Sequence, residues 1–365
     1  MTAPAPSTVE LIGWVAPRVS SEIIPPVGPA FDRDVLAHTA RIHEAAGFDR
    51  VLVGYFSDAP DGFLVAAHVA ATTERLGALL AHRPGFVAPT LAARKLATLD
   101  QLSGGRLAVH IIAGGSDEDQ ARDGDFIDHD ARYRRAAEYV DILRRSWTEP
   151  VPFDHDGEFY RLRRSHADIR PVRSEGIPVY GGGGSQSAIE QLAPRLDTFM
   201  LWGEPLADAS AFIERVRTAA AAGGRPDPGI SVSTRPILGR TEDEAWARAH
   251  RILDQIQERA GRRPGRRASP QNEGSRRLLD AAARGEVHDR CLWTPLAAAT
   301  GAPGNSTALV GTAETVAQAL ADYVDIGATT LLIRGYDPLP DAEQYGRELV
   351  PRVRELVAAR AGAVA

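Results

Sequence analysis

Short runs of Val, Ile and Leu, apolar at successive rather than alternate positions, are separated by longer stretches in which Ala, Arg and Glu follow a helical period. Continuous apolar runs belong to strands buried on both faces, the mark of a parallel sheet whose crossovers are helices. The pattern predicts strands at 9–17, 49–55, 76–84, 106–114, 177–182, 198–203, 230–238 and 329–335. It predicts helices near 32–46, 62–73, 89–102, 131–147, 186–193, 206–223, 241–260, 312–325 and 340–360. Two S/T-x-x-E capping boxes, Thr241 with Glu244 and Ser187 with Glu190, mark helix starts.

Eight strands with interleaved helices point to an α/β fold of the (β/α)8 type, a TIM barrel. An open doubly wound sheet is disfavoured because no G-x-G-x-x-G follows the first strand. The chain of 365 residues exceeds the roughly 250 of a plain barrel, so residues 1–365 read as one domain with insertions. One insertion, about 150–177, carries a D-G turn between aromatic-bearing runs and reads as a hairpin. The other, about 259–306, follows strand seven and is too long and polar for a simple connection, so it reads as a mobile lid.

Charge and cysteine content narrow the setting. A formal charge of −6 argues against general nucleic-acid affinity, and a single cysteine, Cys291, excludes an internal disulfide framework. No apolar run reaches the roughly 20 residues of a membrane span, so a cytoplasmic protein without a membrane partner is expected.

Barrel chemistry sits where strands end. There the chain is rich in glycine, arginine and aromatic residues, poor in paired carboxylates and without clustered metal ligands, so no metal is expected. Neither a G-x-S-x-G elbow nor a P-loop appears, and "HEAAGFD" at 43–49 is not H-E-x-x-H. The "GGGGSQS" run at 181–187 is either a phosphate cradle, with Ser185 and Ser187 as hydroxyl donors, or only a tight strand-to-helix turn. Arg132, opening a helix with Tyr133, either pairs a phosphate or is solvated.

At "LAARKLATLDQLSGGRLAVHIIAG", "DFIDHDARYRRAAEY", "LWGEP" and "TALVGTAETVAQALADYVDIGATTLLIRGY" the chain resembles the bacterial luciferase superfamily, most nearly the two-component alkanesulfonate monooxygenases. The resemblance implies a monooxygenase that takes reduced flavin mononucleotide (FMNH2) from a separate NAD(P)H-dependent flavin reductase. With O2 it forms a flavin peroxide and oxygenates a small organosulfur or related substrate, often breaking a carbon–heteroatom bond. It implies that Gly183, Gly184 and Ser185 hold the phosphate with Arg132 and Tyr133 nearby, and that the flavin ring passes Ala113 and Gly114. Trp202 and Tyr336 would line the pocket, and the lid would exclude water. A homodimer or homotetramer is implied. A deazaflavin (F420) hydride-transfer enzyme of the same superfamily and a non-catalytic flavin-binding protein are the alternatives.

The substrate end departs from the alkanesulfonate pattern. Ala59 stands where a cysteine is usual, Ser233 and Arg235 where an arginine and a histidine are usual, and Thr300 lies nearest a missing lid arginine. Arg235 either holds an anion or pairs an acidic neighbour. His82 either bonds the substrate or is a satisfied wall histidine. Trp14 and Tyr55 complete the expected pocket, with Arg18 a second cation. Cys291 reads as a packing residue, and Arg262, Arg263, Arg266 and Arg267 as solvated lid charges or an anion-attracting cover.

Overall fold

The computed structural model describes residues 8–225, 227–261 and 272–364. Eight parallel strands close a barrel in sequence order: Glu10–Val15, Arg50–Val53, Gly77–His82, Leu107–Ile111, Val179–Gly182, Thr198–Trp202, Gly229–Leu238 and Thr330–Ile333. The seventh strand pairs with the sixth and the eighth, and the eighth with the first, so the barrel has no free edge. Each strand falls on one of the predicted apolar runs, because both faces of each are covered. Ile12, Leu52, Leu79, Ala81, Ala108, Tyr180 and Leu332 fill the bore. Leu11, Val51, Val53, Leu80, Val109 and Val179 face the surrounding helices.

Side-chain caps set several helix starts. Asp32 and Asp61 accept from amides of the helices Arg33–Ala45 and Gly62–Thr72, and Asp128 does so for His129–Thr148. Thr241 accepts from the Glu244 amide at 3.2 Å, while the Glu244 carboxylate turns to Arg240. The box predicted at Ser187 is displaced. The helix Gln186–Leu192 begins as soon as the chain leaves the glycines, so Ser185 is its cap, accepting from the Ala188 amide at 3.2 Å.

The first insertion is a hairpin, Phe153–Asp156 against Arg161–Ser165. The second is more structured than a loop. It contains the helix Glu273–Arg284, the short antiparallel strands Val287–His288 and Leu292–Trp293, and the helix Pro295–Thr300. It is followed by the strand Ala308–Gly311, which pairs in parallel with residues 235–238 of the seventh strand. The seventh strand does two jobs: its first half closes the barrel and its second half leaves it to carry this small sheet. Strands of two residues are too short to show a period, which is why the pattern hid them. The lid arginines Arg262, Arg263, Arg266 and Arg267 lie outside the described residues. The helix predicted at 340–360 begins at Pro338 and is broken by a wide turn over Tyr345–Leu349 before continuing as Val350–Val364. Among the described residues no helix is long and apolar enough to cross a membrane.

Candidate functional site

Two arcs of the barrel mouth carry polar groups, and they lie on opposite sides of it. One arc follows strands four to six. Here Gly183 has φ +153, and a side chain on it would meet the Tyr133 hydroxyl at 2.3 Å. A side chain on Gly184 would meet the Gly274 amide at 2.8 Å. The turn must therefore be bare: it runs between Tyr133 and the first turn of the helix Glu273–Arg284. Burial pushes the Tyr133 hydroxyl up to about 12, opposed by Arg132 and by a hydrogen bond with Ser185, so it stays a neutral donor. Arg132 is buried. It donates to the Ile127 carbonyl and to Asp117 at 2.9 and 2.8 Å, and its Nε has no partner among the described residues. Ser187 lies beside Asp130, to which it donates a hydrogen bond.

Next to the turn, Gly114 has φ +88 and is covered by Gln120, whose Nε2 donates to the Ala113 carbonyl at 3.1 Å. Trp202, at the end of strand six, meets the other side of the same helix start: a side chain on Gly274 would lie 2.7 Å from its ring. Arg277 of that helix pairs with Glu204, just beyond Trp202. The part of the insertion that starts at Asn272 is thus docked over the glycine turn through glycine contacts and an ion pair.

The other arc follows strands eight, one and two, and encloses a cavity of about 460 Å³. Trp14, Arg18, Glu22, Phe56, Ala59 and Arg334 are among its lining residues. Behind Glu22 sits Arg235, 2% exposed, with its guanidinium 3.6 Å from the centroid of the Tyr336 ring. Arg235 donates to Glu22 Oε1 and to the Gly335 carbonyl, both at 2.7 Å. Arg334 donates to the same Glu22 oxygen at 2.8 Å and lies 4.9 Å over the Trp14 ring. Arg259 holds the Glu22 carbonyl at 2.9 Å. Burial would raise the Glu22 carboxyl, but Arg235 and Arg334 outweigh it and hold it at about 2. Burial, reinforced by Arg235, lowers the Arg334 guanidinium to about 10. The Tyr336 hydroxyl, pushed up to about 12 by burial, has no partner among the described residues.

The predicted residues divide between these places. Trp14 and Ala59 line the cavity, as does Arg18. Arg235 and Tyr336 stand behind its wall, and Ser233 is buried in the seventh strand beside Trp202. Tyr55 is turned toward Asp123, to which its hydroxyl donates at 2.9 Å. His82 is not brought to the mouth. Side chains alternate along a strand, and with Ala81 in the bore His82 faces the helices, where its Nε2 meets the Tyr139 hydroxyl at 2.7 Å. Burial pulls this imidazole down to about 4, so it is a neutral wall group. Cys291 is also buried, its thiol pushed up to about 12. Glu22 and Arg334 were missed. Arg334 was legible in the period of two, since Leu332 fills the bore and residue 334 must point the same way. Nothing local marks Glu22, whose partners lie more than two hundred residues away in the chain.

The model of the luciferase-like monooxygenases matches residues 12–330. The chain belongs to this family. Among solved structures, a riboflavin lyase with modified FMN and substrate riboflavin has a TM-score of 0.78 at 19% identity, covering 96% of this chain and 92% of its own. The EDTA monooxygenase of Chelativorans sp. BNC1 scores 0.74 at 18%, covering 97% and 98%. The coenzyme F420-dependent tetrahydromethanopterin reductase of Methanopyrus kandleri scores 0.68 at 15%, covering 95% and 99%. At these identities the likeness is one of fold, the same closed barrel.

Proposed function

We propose that this protein is a two-component, FMNH2- and O2-dependent monooxygenase acting on a small organosulfur or related organic substrate. A separate NAD(P)H-dependent reductase supplies the reduced flavin, and the enzyme works as a homodimer or homotetramer. The observation that carries the reading is the bare glycine turn at Gly183 and Gly184, set against two neutral hydroxyls and the buried Arg132. Asp117 and Asp130 take part of this donor set, but the Arg132 Nε without a partner among the described residues and the Tyr133 and Ser185 hydroxyls suit a phosphate. Ser185, Tyr133 and Arg132 would hold it, and Ala113 and Gly114 would border the ring.

When bound, reduced flavin supplies the electrons that activate O2. The chain's own groups do the rest. Trp202 and the helix start at Gly274 close the mouth above the glycine turn and keep water out. Behind the other wall the Tyr336 hydroxyl stays protonated and Arg235 stays charged, and the acceptor in front of them is the Glu22 carboxylate. That accounts for the shortage of acid–base pairs: the protein's work is orientation and exclusion of water.

Anaerobic titration with reduced FMN tests the reading, comparing wild type with Ser185→Ala and Arg132→Ala. Binding weakened ~10-fold or more by Arg132→Ala, the scale of a charge-assisted hydrogen bond, followed by substrate-dependent O2 consumption, is the expected result. Selective binding of F420 with anaerobic hydride transfer would replace it with the deazaflavin reading. Binding of flavin with no turnover of any substrate would leave a storage protein.

A further inference from the structure

At the buried end of the cavity two guanidiniums, Arg235 and Arg334, share one carboxylate, Glu22, through a single oxygen. On the carboxylate itself the sum is 2 − 1, one positive charge left over; Arg259 bonds the Glu22 carbonyl instead and does not line the cavity. The outer lining adds Arg18 and Asp58, which cancel, and Asp58 is exposed to solvent. His43 also lines the cavity, and burial lowers it to about 4, so it contributes no charge. A cation left over at low exposure is costly unless something compensates it. Arg235 is spent on Glu22, Gly335 and the Tyr336 ring, and it does not reach the cavity. Arg334 does reach it. Its side chain is 24% exposed, it is stacked on Trp14, and only one of its nitrogens is taken up by Glu22.

We propose that the cavity binds an organic monoanion whose oxyanion group is gripped by Arg334, and that Glu22 sets the preference for a single negative charge. As a statement about the substrate this rests on reading the cavity as the substrate end of the flavin site. The apolar walls, Trp14, Phe56, Ala59 and Val65, take the body of the molecule. Glu22 holds both guanidiniums in place and cancels one of them. A neutral ligand leaves the residual cation unanswered, and a dianion overshoots it. Arg334 is thus the residue that sets specificity, where the sequence pointed to Arg235.

The test needs no flavin. Straight-chain carboxylates from acetate to decanoate, the matching amides and the matching alkylphosphonates at pH 9, where they are dianions, are titrated calorimetrically into wild type, Arg334→Met, Arg334→Lys and Glu22→Gln. In wild type a carboxylate of fitting length binds ~10-fold or more tighter than its amide, the scale of one hydrogen bond to a charged group. Arg334→Met removes the difference and Arg334→Lys restores part of it. Glu22→Gln keeps an oxygen acceptor for both guanidiniums but raises the residual charge to two, so preference moves toward the phosphonate. A purely structural Glu22 would not shift that ratio. Amides binding as well as carboxylates, no binding by any series, or a ratio unmoved by Glu22→Gln overturns the proposal. Reduced-FMN titration of the same variants keeps the two readings apart. If Arg334→Met abolishes flavin binding instead, Arg334 belongs to the cofactor and the anion site falls. If wild type ignores flavin yet binds carboxylates through Arg334, the monooxygenase reading falls and the anion site stands.

Discussion

Two buried arginines at the barrel mouth are built alike and sit in clusters of opposite net charge. Arg83, closing strand three, lies 4.4 Å from the centroid of the Tyr55 ring, as Arg235 lies 3.6 Å from that of Tyr336. Arg83 is held by two carboxylates, Asp119 and Asp123, and the latter also takes the Tyr55 hydroxyl. Asp119 further accepts from Ser57 Oγ at 2.5 Å. That cluster has one cation for two anions. At Arg235 two cations share one carboxylate, Glu22. An arginine in a strand does not decide the polarity of its side of the mouth; the number of carboxylates that loops bring to it does.

The comparison is broken most directly by removing carboxylates. Glu22→Ala leaves Arg235 buried without a countercharge and is expected to cost about 3 kcal/mol. Asp123→Ala leaves Arg83 with Asp119 and is expected to cost about 1 kcal/mol. Urea unfolding of the two variants checks this, and equal losses would mean that the ratio of charges does not matter.

Acid should act on the same difference. Glu22 is held at about 2 when folded against an ordinary value of 4.5. A lowered folded value contributes stability that is present above the unfolded pKa and lost as pH falls through the folded one. The stability of wild type over Glu22→Gln is therefore full above pH 4.5 and disappears between 4.5 and 2. Unfolding curves at several pH values in that window measure it, and a constant gap would contradict the assignment.

The two tyrosines sharpen the comparison at a smaller scale. Tyr55→Phe removes a hydroxyl that donates to Asp123 and is expected to cost about 1 kcal/mol. Tyr336→Phe removes a hydroxyl without a partner and keeps the ring under Arg235, so a change below about 0.5 kcal/mol is expected. Thermal unfolding of the pair separates these values, and a large loss at Tyr336 would show that its hydroxyl is satisfied in solution.

The eight barrel strands were legible because each is covered on both faces and so carries an unbroken apolar run. The insertion after the seventh strand was not, because its two-residue strands gain their order from pairing with each other and, for Leu292–Trp293, with Ala308–Gly311. At the mouth, the bare turn at Gly183 and Gly184 was legible as a place where side chains are excluded. What excludes them, Tyr133 and the helix start at Gly274, was only partly so: Tyr133 was named and the contact with Gly274 was not. His82 shows how a strand end misleads when its parity is ignored, since proximity to the mouth says nothing about the face a side chain takes.

By itself the sequence determined the barrel, its order of strands, the cap at Thr241 but not the one at Ser185, and the positions where backbone must be bare, because these depend on periodicity and on the conformational needs of single residues. The tertiary structure alone decided that Glu22 stands between Arg235 and Arg334, that Arg334 and not Arg235 reaches the cavity, and that Tyr55 turns to Asp123. These are choices of partner among residues far apart in the chain, and Coulomb and hydrogen-bond energies depend on distance in space, which appears only when the barrel closes.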